Sequence, residues 1–292
     1  MGFWKSFFGG EEDTPEEEKK QADAKNFDLL KYDGVKAMRM GQHEYAERCF
    51  REALNIQDDM EVHDYLSQTL TRLGNLEGAL AELLTMAHAA PDNVAVLMQG
   101  AHVAYMLEDY DRMKTLCEQA LALDGKNTLV NYQMAQAVMG QGNLIGGIAF
   151  LTQAIAQSDE LADARLLRAK TLLQMGDVKG ASEDVDWLMT HTEDEEDVLL
   201  MAARVAHAKG QNDEAINIYN KVTELNPFQF DAYRERGKIK LELGDKHGAE
   251  EEMQKLLEMN PDEMANVSGD YTAEGVEQAV KRAYSNMNPF GI

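Results

Sequence analysis

Residues 230–262 read FDAYRERGKIKLELGDKHGAEEEMQKLLEMNPD, and this stretch decides the fold because its main features recur along the chain. Within it, Gly244 is followed five positions later by the small residue Ala249. The same pairing recurs upstream at a nearly constant interval, which is the signature of a repeat protein. The glycines are Gly41, Gly74, Gly142, Gly176, Gly210 and Gly244, and the small residues are Ala46, Ala79, Gly147, Ala181, Ala215 and Ala249.

Glu108 occupies the one position where a glycine is missing, and Met113 follows it five residues later. The interval between successive positions is then 33 residues once and 34 residues thereafter. This spacing predicts seven units, which cover residues 27–59, 60–93, 94–127, 128–161, 162–195, 196–229 and 230–262.

Each unit contains apolar residues at the three- and four-residue spacings of one helix face, twice over. The two faces of the third unit are Leu97, Ala101 and Ala104, then Leu116, Ala120 and Leu123. The glycine between the two helices supplies the left-handed backbone that a tight turn requires. Strand-like alternation is absent from the sequence, so we predict an all-α fold, an α-solenoid of seven helix-turn-helix units.

These units resemble the tetratricopeptide repeat family over residues 27–262. The resemblance is carried by Tyr233, Gly237, Gly244-Asp245, Ala249 and Asn260-Pro261 in the last unit, and by Ala203, Gly210, Ala215, Tyr219 and Asn226-Pro227 in the sixth. Departures from the pattern are Glu108, Gly147, Asp58, Asp159 and Glu193. The resemblance implies a right-handed superhelix in which the first helix of each unit lines an inner groove that holds an extended peptide or a partner helix.

The ends of a repeat array need covers, because each unit buries its apolar face against a neighbour. Thr14-Pro15-Glu16-Glu17 predicts a capping box that starts a helix running into the first repeat. Thr272 begins a predicted C-terminal capping helix whose apolar stripe is Val276, Ala279, Val280, Ala283 and Tyr284. We therefore divide the chain into an aromatic and acidic segment at 1–14, the solenoid at 15–262, and the capping helix and tail at 263–292.

The composition excludes several classes of protein. With 292 residues and 44% hydrophobic content, the chain can bury a core and is not disordered by composition. The net charge of -24 argues against binding nucleic acid or coating an anionic membrane with the whole surface. Two cysteines suggest a reducing compartment, and the sequence contains neither 18 consecutive apolar residues nor a secretory signal in its first ten residues.

Motifs for catalysis and cofactors are weak. The glycine-rich stretch 140–146 follows a helix rather than a strand, so a phosphate-binding loop is disfavoured. The histidines lack zinc spacing, and the acidic residues 193–197 lack the spacing of a calcium loop. Cys49 and Cys117 lie among apolar residues, which favours buried structural thiols. We expect no metal, no cofactor and no enzymatic activity, although a nucleophile with a base distant in sequence stays open.

Groove positions carried over from the resemblance give the candidate binding residues. Those of the middle units form an apolar strip with methionines and two tyrosines, and cations follow in the later units. The candidates are Met98, His102, Tyr105, Met106, Tyr132, Gln136, Met139, Leu166, Lys170, Leu173, Leu200, Arg204, His207, Arg234 and Lys238. The alternative is that the Met and Leu residues belong to the core between repeats. We expect a neutral-to-basic groove inside an acidic outer coat.

One known function of such repeats is disfavoured by the residues. Co-chaperones of this family grip the carboxyl terminus of heat-shock proteins with Lys, Asn and Arg side chains on successive first helices. Here Lys31 is present, but Val35, Tyr65, Ala95 and Gln99 stand at the other positions. We therefore expect that an acidic chaperone tail does not bind by this clamp.

The N-terminus is a second candidate site, in which a helix would place Phe3, Trp4, Phe7 and Phe8 on one side. A cluster of this size is expected to dock on a membrane interface, on a partner, or in its own or a neighbour's groove. A disordered or self-packed tail is the alternative.

We predict a non-enzymatic cytoplasmic adaptor that binds, in its groove, an apolar peptide or helix with an acidic or carboxylate end. The alternatives are a self-associating scaffold whose N-terminal aromatic segment docks into a neighbouring copy, or an adaptor held peripherally at a membrane through residues 1–8. The expected partner is a protein or peptide, with a homo-oligomer as the alternative, and not nucleic acid.

Overall fold

The computed structural model describes residues 14–192 and 195–259. These residues form fourteen α-helices and no strand. The helices are α1 (Pro15–Arg39), α2 (His43–Ile56), α3 (Met60–Arg72), α4 (Leu76–Ala89), α5 (Val94–Met106), α6 (Tyr110–Leu123), α7 (Thr128–Gly140), α8 (Leu144–Gln157), α9 (Ala162–Gln174), α10 (Val178–His191), α11 (Glu196–Ala208), α12 (Asn212–Leu225), α13 (Phe230–Glu242) and α14 (Lys246–Met259). We call the odd-numbered helices first helices and the even-numbered ones second helices.

The turns between the helices of a pair adopt the backbone that the repeat spacing predicts. All six recurring glycines have positive φ, between 73° and 84°. Glu108, at the seventh equivalent position, also has positive φ, at 56°. The glycine-rich stretch 140–146 spans one of these turns, which consists of residues 141–143 between α7 and α8.

Short polar side chains start many of the helices. Asp59 and Asn93 cap first helices, and Asn75, Asp109 and Asp177 cap second helices, each by accepting a hydrogen bond from a backbone N–H of the first turn. Asp and Asn are unfavourable inside a helix, but at its start they satisfy backbone N–H groups that have no partner within the helix. Their positions therefore determine where these helices begin.

The predicted capping box at the start of α1 is confirmed. The Thr14 hydroxyl accepts from the Glu17 backbone N–H at 3.3 Å, while a Glu17 carboxylate oxygen accepts from the Thr14 N–H at 2.7 Å. Hydrogen bonds from Thr14 lower the pKa of Glu17. From there α1 runs on without interruption into the first repeat.

The chain divides into two compact units, unit 1 (Met1–Gly147) and unit 2 (Ile148–Ile292). In unit 1, fully buried leucines such as Leu66, Leu80 and Leu97 form the core. In unit 2, one core cluster includes Ala169, Val185 and Met201, and a second includes Leu199, Tyr219 and Ile239.

Gly147 departs from the alanine pattern for a steric reason. A Cβ at this position would overlap the side chain of Met139, which already fills the space that an alanine methyl group takes in other repeats. The larger Met139 side chain thus compensates for the missing methyl group at Gly147, and α7 and α8 still form a helix pair.

Both cysteines are buried, as the sequence predicts, and neither forms a disulfide. Burial raises the pKa of the Cys117 thiol to about 12. This thiol is therefore protonated at neutral pH, the form in which cysteine is a poor nucleophile. In the part of the chain that the structure describes, no helix combines the length and hydropathy needed to cross a membrane.

The predicted capping helix from Thr272 and the count of seven repeats stay predictions. The capping helix lies outside the described residues.

Candidate functional site

A pocket of about 400 Å³ lies on the first helices of unit 1, and we call it the first-helix pocket. It is lined by Gln68 and Arg72 from α3, Met98 and His102 from α5, and Gln133 from α7, among others. Met98 and His102 are predicted groove residues, and they share one face because they are four positions apart in α5. Three successive first helices thus contribute to one binding-sized cavity.

Gln133 is one of the pocket residues that the sequence analysis did not identify as candidates. Its Nε2 donates a hydrogen bond to the backbone carbonyl of Met98 at 3.1 Å, which joins α7 to α5. Its Oε1 is buried and has no hydrogen-bond partner among the described residues. A buried acceptor without a partner costs free energy, and a ligand N–H that reached this oxygen would relieve that cost.

Arg72 gives the pocket a positive charge at the end of α3. Its side chain is exposed, and it forms no ion pair with any residue that the structure describes. A cation in the last turn also interacts favourably with the negative end of the helix dipole. The guanidinium is therefore available to a ligand carboxylate.

The remaining candidates of unit 1 lie on the same helices, α5 and α7. Tyr105 and Met106, near the end of α5, are 40% and 37% exposed. The Tyr105 ring meets the Tyr110 ring edge-on, with 6.4 Å between ring centroids. On α7 the half-buried candidates are Tyr132, Gln136 and Met139. Gln136 Nε2 donates to the Tyr132 hydroxyl at 3.5 Å.

Two candidates of unit 2 belong to the core, and for them the prediction of a groove-lining role is wrong. Leu173 is 6% exposed and lies in a cluster with Met201 and Val205 of the next first helix. Leu200 is 5% exposed and lies in a cluster with Ala232 of α13. Both leucines are covered because the following first helix packs directly against them.

Arg204 is held by carboxylates of its own unit. Its Nη2 lies 2.7 Å from a Glu235 oxygen and 3.1 Å from an Asp231 oxygen. Burial alone would lower the pKa of Arg204, but the hydrogen bonds and charges of Glu235 and Asp231 outweigh it and raise the pKa. Tyr219 also donates to Glu235, at 2.6 Å, which completes a buried network.

The other cationic candidates of unit 2 differ in how far they are engaged. Arg234 pairs with Asp231 at 2.6 Å, and Lys238 lies 3.9 Å from Glu242. His207 Nδ1 lies 2.9 Å from the Asn212 Oδ1. Lys170 is exposed and has no ion pair among the described residues. The remaining candidate, Leu166, is half-buried and packs against the core.

Lys31 is also engaged within unit 1. Its ammonium group lies 2.6 Å from Glu61 and 3.2 Å from Asp59, and Tyr65 donates to Glu61 at 2.7 Å. A clamp for an acidic tail needs a free ammonium group. This arrangement accords with the expectation that such a tail does not bind there.

The docking segment with Phe3, Trp4, Phe7 and Phe8 lies outside the described residues. Its predicted role therefore stays a prediction.

The fold defines the class of the molecule, a helical-hairpin repeat protein, and the first-helix pocket lies on its first helices. Family models give the particular family. Residues 203–244 match the model described as TPR repeat, and residues 230–263 match the model described as tetratricopeptide repeat. These matches show tetratricopeptide repeats over residues 203–263, and structural neighbours of the same kind support this family for the chain.

Solved structures of low sequence identity share the fold. A tetratricopeptide repeat protein from Parabacteroides merdae aligns with a TM-score of 0.68 at 17% identity, over 89% of this chain and 99% of the other. PilW, described as a widely conserved type IV pilus biogenesis factor, aligns at 0.62 and 18% identity, over 74% and 96%. Pseudomonas aeruginosa PilF aligns at 0.56 and 16% identity, over 70% and 94%. No curated protein matches the chain in sequence.

Tetratricopeptide repeat proteins bind protein or peptide partners and are generally non-catalytic scaffolds. The repeats accordingly support a protein–protein interaction scaffold as the general function of this chain.

Proposed function

We propose that the first-helix pocket of unit 1 binds an extended segment of a partner protein. The observation that carries the proposal is Gln133, which lines this pocket and whose Oε1 is buried without a hydrogen-bond partner among the described residues. The backbone N–H of an extended peptide is a donor of the right kind, because it is not used within the peptide itself.

The chemistry of the lining suits a peptide backbone with apolar side chains. Gln68, Gln99 and Gln133 bring side-chain amides to the lining, and an amide can match both the donors and the acceptors of an extended chain. Two of these amides also donate within the chain, Gln68 to Asp64 and Gln133 to the Met98 carbonyl. Met98 adds a flexible, polarizable surface that adapts to apolar side chains of different shape. A segment that alternates backbone contacts with buried side chains therefore fits this pocket.

An acidic side chain of the ligand would lie against Arg72. Sequence reasoning assigned carboxylate recognition to four cations of unit 2, but Arg204 and Arg234 of that group already pair with Glu235 or Asp231. Arg72 has no such partner among the described residues and stands at the pocket itself. We therefore assign this role to Arg72, in a ligand that combines an apolar segment with a carboxylate.

The test uses peptides selected from a random display library on the full chain. Their affinities are then measured for wild type, Gln133→Leu, Arg72→Glu and the double variant Tyr105→Ala/Tyr132→Ala. We expect each of the first two changes to weaken binding about tenfold or more, because each removes one polar contact to the peptide worth about 1.5 kcal/mol. Gln133→Leu also removes the hydrogen bond to the Met98 carbonyl, so circular dichroism melting checks that this variant is folded.

Lys126→Glu is the matched control, since Lys126 is exposed in the loop between α6 and α7 and does not line the pocket. It makes the same change of charge as Arg72→Glu and should leave affinity nearly unchanged. Peptides that bind Gln133→Leu and Arg72→Glu as tightly as wild type would show that the pocket is not the binding site.

A further inference from the structure

A second and larger pocket of unit 1, about 780 Å³, lies between the second helices α4 and α6, and we call it the second-helix pocket. Its apolar lining includes Leu84 and Leu123, which are 40% and 48% exposed, together with Leu116. Exposed leucines on adjacent helices with a cavity between them form a surface that gains free energy when apolar side chains cover it.

Two side chains of opposite charge line this pocket, and they differ in their partners. Arg112 already pairs with Glu77 at 3.3 Å and with Asp109 at 3.2 Å. Asp111, in the first turn of α6, accepts a hydrogen bond from Gln141 at 2.6 Å but forms no ion pair with a described residue. An occupant with several large apolar side chains and one cation would match both the leucines and this carboxylate.

Residues 1–10 of this chain have that composition. The segment MGFWKSFFGG contains four large aromatic residues, and Lys5 is the only lysine or arginine among residues 1–13. Aromatic side chains each bury about 150–250 Å² when they enter an apolar site. Two or three of them would cover the exposed leucines of the second-helix pocket.

The exposure of the first turns of α1 bears on whether this segment docks on its own copy of the chain or on another. Residues 14–26 are exposed except for Asp23, which is half-buried, and Phe27 is the first buried residue of α1. The exposed part of the helix is therefore an arm of roughly 18 Å, at 1.5 Å per residue, and the capping box at Thr14 holds its first turn together. The segment is therefore attached to the end of an arm that its own repeats do not cover, which favours docking on another copy.

We propose that residues 1–10 of one copy dock in the second-helix pocket of a second copy, with aromatic rings against Leu84 and Leu123 and Lys5 near Asp111. Each contact joins two different surfaces, the segment of one copy and the pocket of the other. Two copies that exchange their segments close into a symmetric dimer.

Tryptophan fluorescence of the full chain gives a direct test. The chain has two tryptophans, Trp4 and Trp187, and Trp187 lies on α10, outside the pocket. A Trp187→Phe variant therefore reports on Trp4 alone. We expect its emission to shift to shorter wavelength as protein concentration rises, in step with dimer formation measured by sedimentation.

Leu84→Asp/Leu123→Asp should raise the dimer dissociation constant at least tenfold and abolish the emission shift. Ile145→Asp/Leu225→Asp is the matched control, because both side chains are exposed and neither lines the pocket; dimerisation should be unchanged. Circular dichroism melting checks that both double variants are folded.

A mixing experiment identifies the copy that supplies the pocket. The pocket variant retains its segment, and a chain lacking residues 1–10 retains its pocket, so the two should form a mixed dimer although neither dimerises alone. A monomer with exposed Trp4 at all concentrations would overturn the proposal. So would burial of Trp4 that is independent of concentration, or that requires phospholipid vesicles and survives Leu84→Asp/Leu123→Asp.

Discussion

Glu108 is the only non-glycine residue with positive φ among the described residues. A side chain in the left-handed region costs about 1–2 kcal/mol relative to the right-handed one, because Cβ crowds the carbonyl oxygen. The repeat spacing places Glu108 where the other units have glycine, so the turn geometry imposes the conformation on a residue that disfavours it.

Glu108→Gly should raise the free energy of unfolding by about 0.5–1 kcal/mol. This is the relieved strain less the roughly 0.5–1 kcal/mol that the greater freedom of glycine in the unfolded chain costs. Urea unfolding followed by circular dichroism measures the change. Gly210→Glu makes the reverse exchange at a φ of 76° and should destabilise by a similar amount; equal stability of all three proteins would contradict the argument.

His63 is a buried side chain whose two ring nitrogens both face carboxylates. Nδ1 lies 2.5 Å from Glu82 and Nε2 lies 2.7 Å from Asp58, so the ring ties α3 to α4 and to the loop before α3. Burial alone would lower the pKa of His63, but the hydrogen bonds and charges of both carboxylates outweigh it and raise the pKa above its ordinary value.

This raised pKa makes a pH-dependent contribution to stability. Because the folded protein binds the proton more tightly than the unfolded chain, the contribution is complete below the unfolded pKa of about 6.5 and is lost as pH rises through the higher folded pKa. Wild type should therefore exceed His63→Gln in unfolding free energy by more at pH 5.5 than at pH 9. Urea titrations across this range measure the difference, and a constant gap would contradict the assignment.

At the scale of helices, buried ion pairs join the two helices of a repeat. Arg236 on α13 donates to both carboxylate oxygens of Glu252 on α14, at 2.9 and 2.7 Å, and Lys240 donates to the same carboxylate at 2.6 Å. Arg168 and Asp184 form the same kind of pair between α9 and α10, with the same spacing of 16 residues.

Removal of one partner should cost more than removal of both. Arg236→Met leaves the buried Glu252 with fewer partners and should lower the free energy of unfolding by about 3–5 kcal/mol. The double change Arg236→Met/Glu252→Leu replaces the pair by apolar volume and should cost much less. Chemical denaturation of the two single variants and the double variant forms the cycle, and additive losses would show that the pair is not coupled.

The helices and turns follow from local sequence, but these pairs do not. Gly244 and Asn93 act on residues next to them, so the turn and the helix start could be predicted from spacing alone. An ion pair between α13 and α14 depends on how the two helices pack. The recurring spacing of Arg and acid in the fifth and seventh units was a signal that could have found it.

The candidate site, too, could be predicted only as far as local sequence determines it. Met98 and His102, which the groove register selected, both line the first-helix pocket, because helical spacing determines which residues share a face. Whether a leucine on that face is exposed depends on the neighbouring helix, and Leu173 and Leu200 are covered by α11 and α13. The partner of Gln133 is a backbone carbonyl on another repeat, which residue types do not reveal.

At the scale of the whole molecule, stability is distributed over many small cores. Repeats that contact only their neighbours respond locally to damage. Leu66 is 1% exposed in unit 1, so Leu66→Ala should cost about 2–5 kcal/mol there. Hydrogen exchange followed by mass spectrometry should show faster exchange in α3 and α4 and no change in α11–α13. Uniformly faster exchange would mean that the chain unfolds as one cooperative body.

Because both thiols are buried, the folded repeats do not react with thiol reagents. Cys49 lies in α2 and Cys117 in α6, and reagents that require a solvent-exposed thiolate reach neither residue in the packed state. Alkylation at either position therefore requires that helix to open. The rate at which Cys49 and Cys117 are alkylated therefore measures how often the first and the third predicted repeats of unit 1 open in solution.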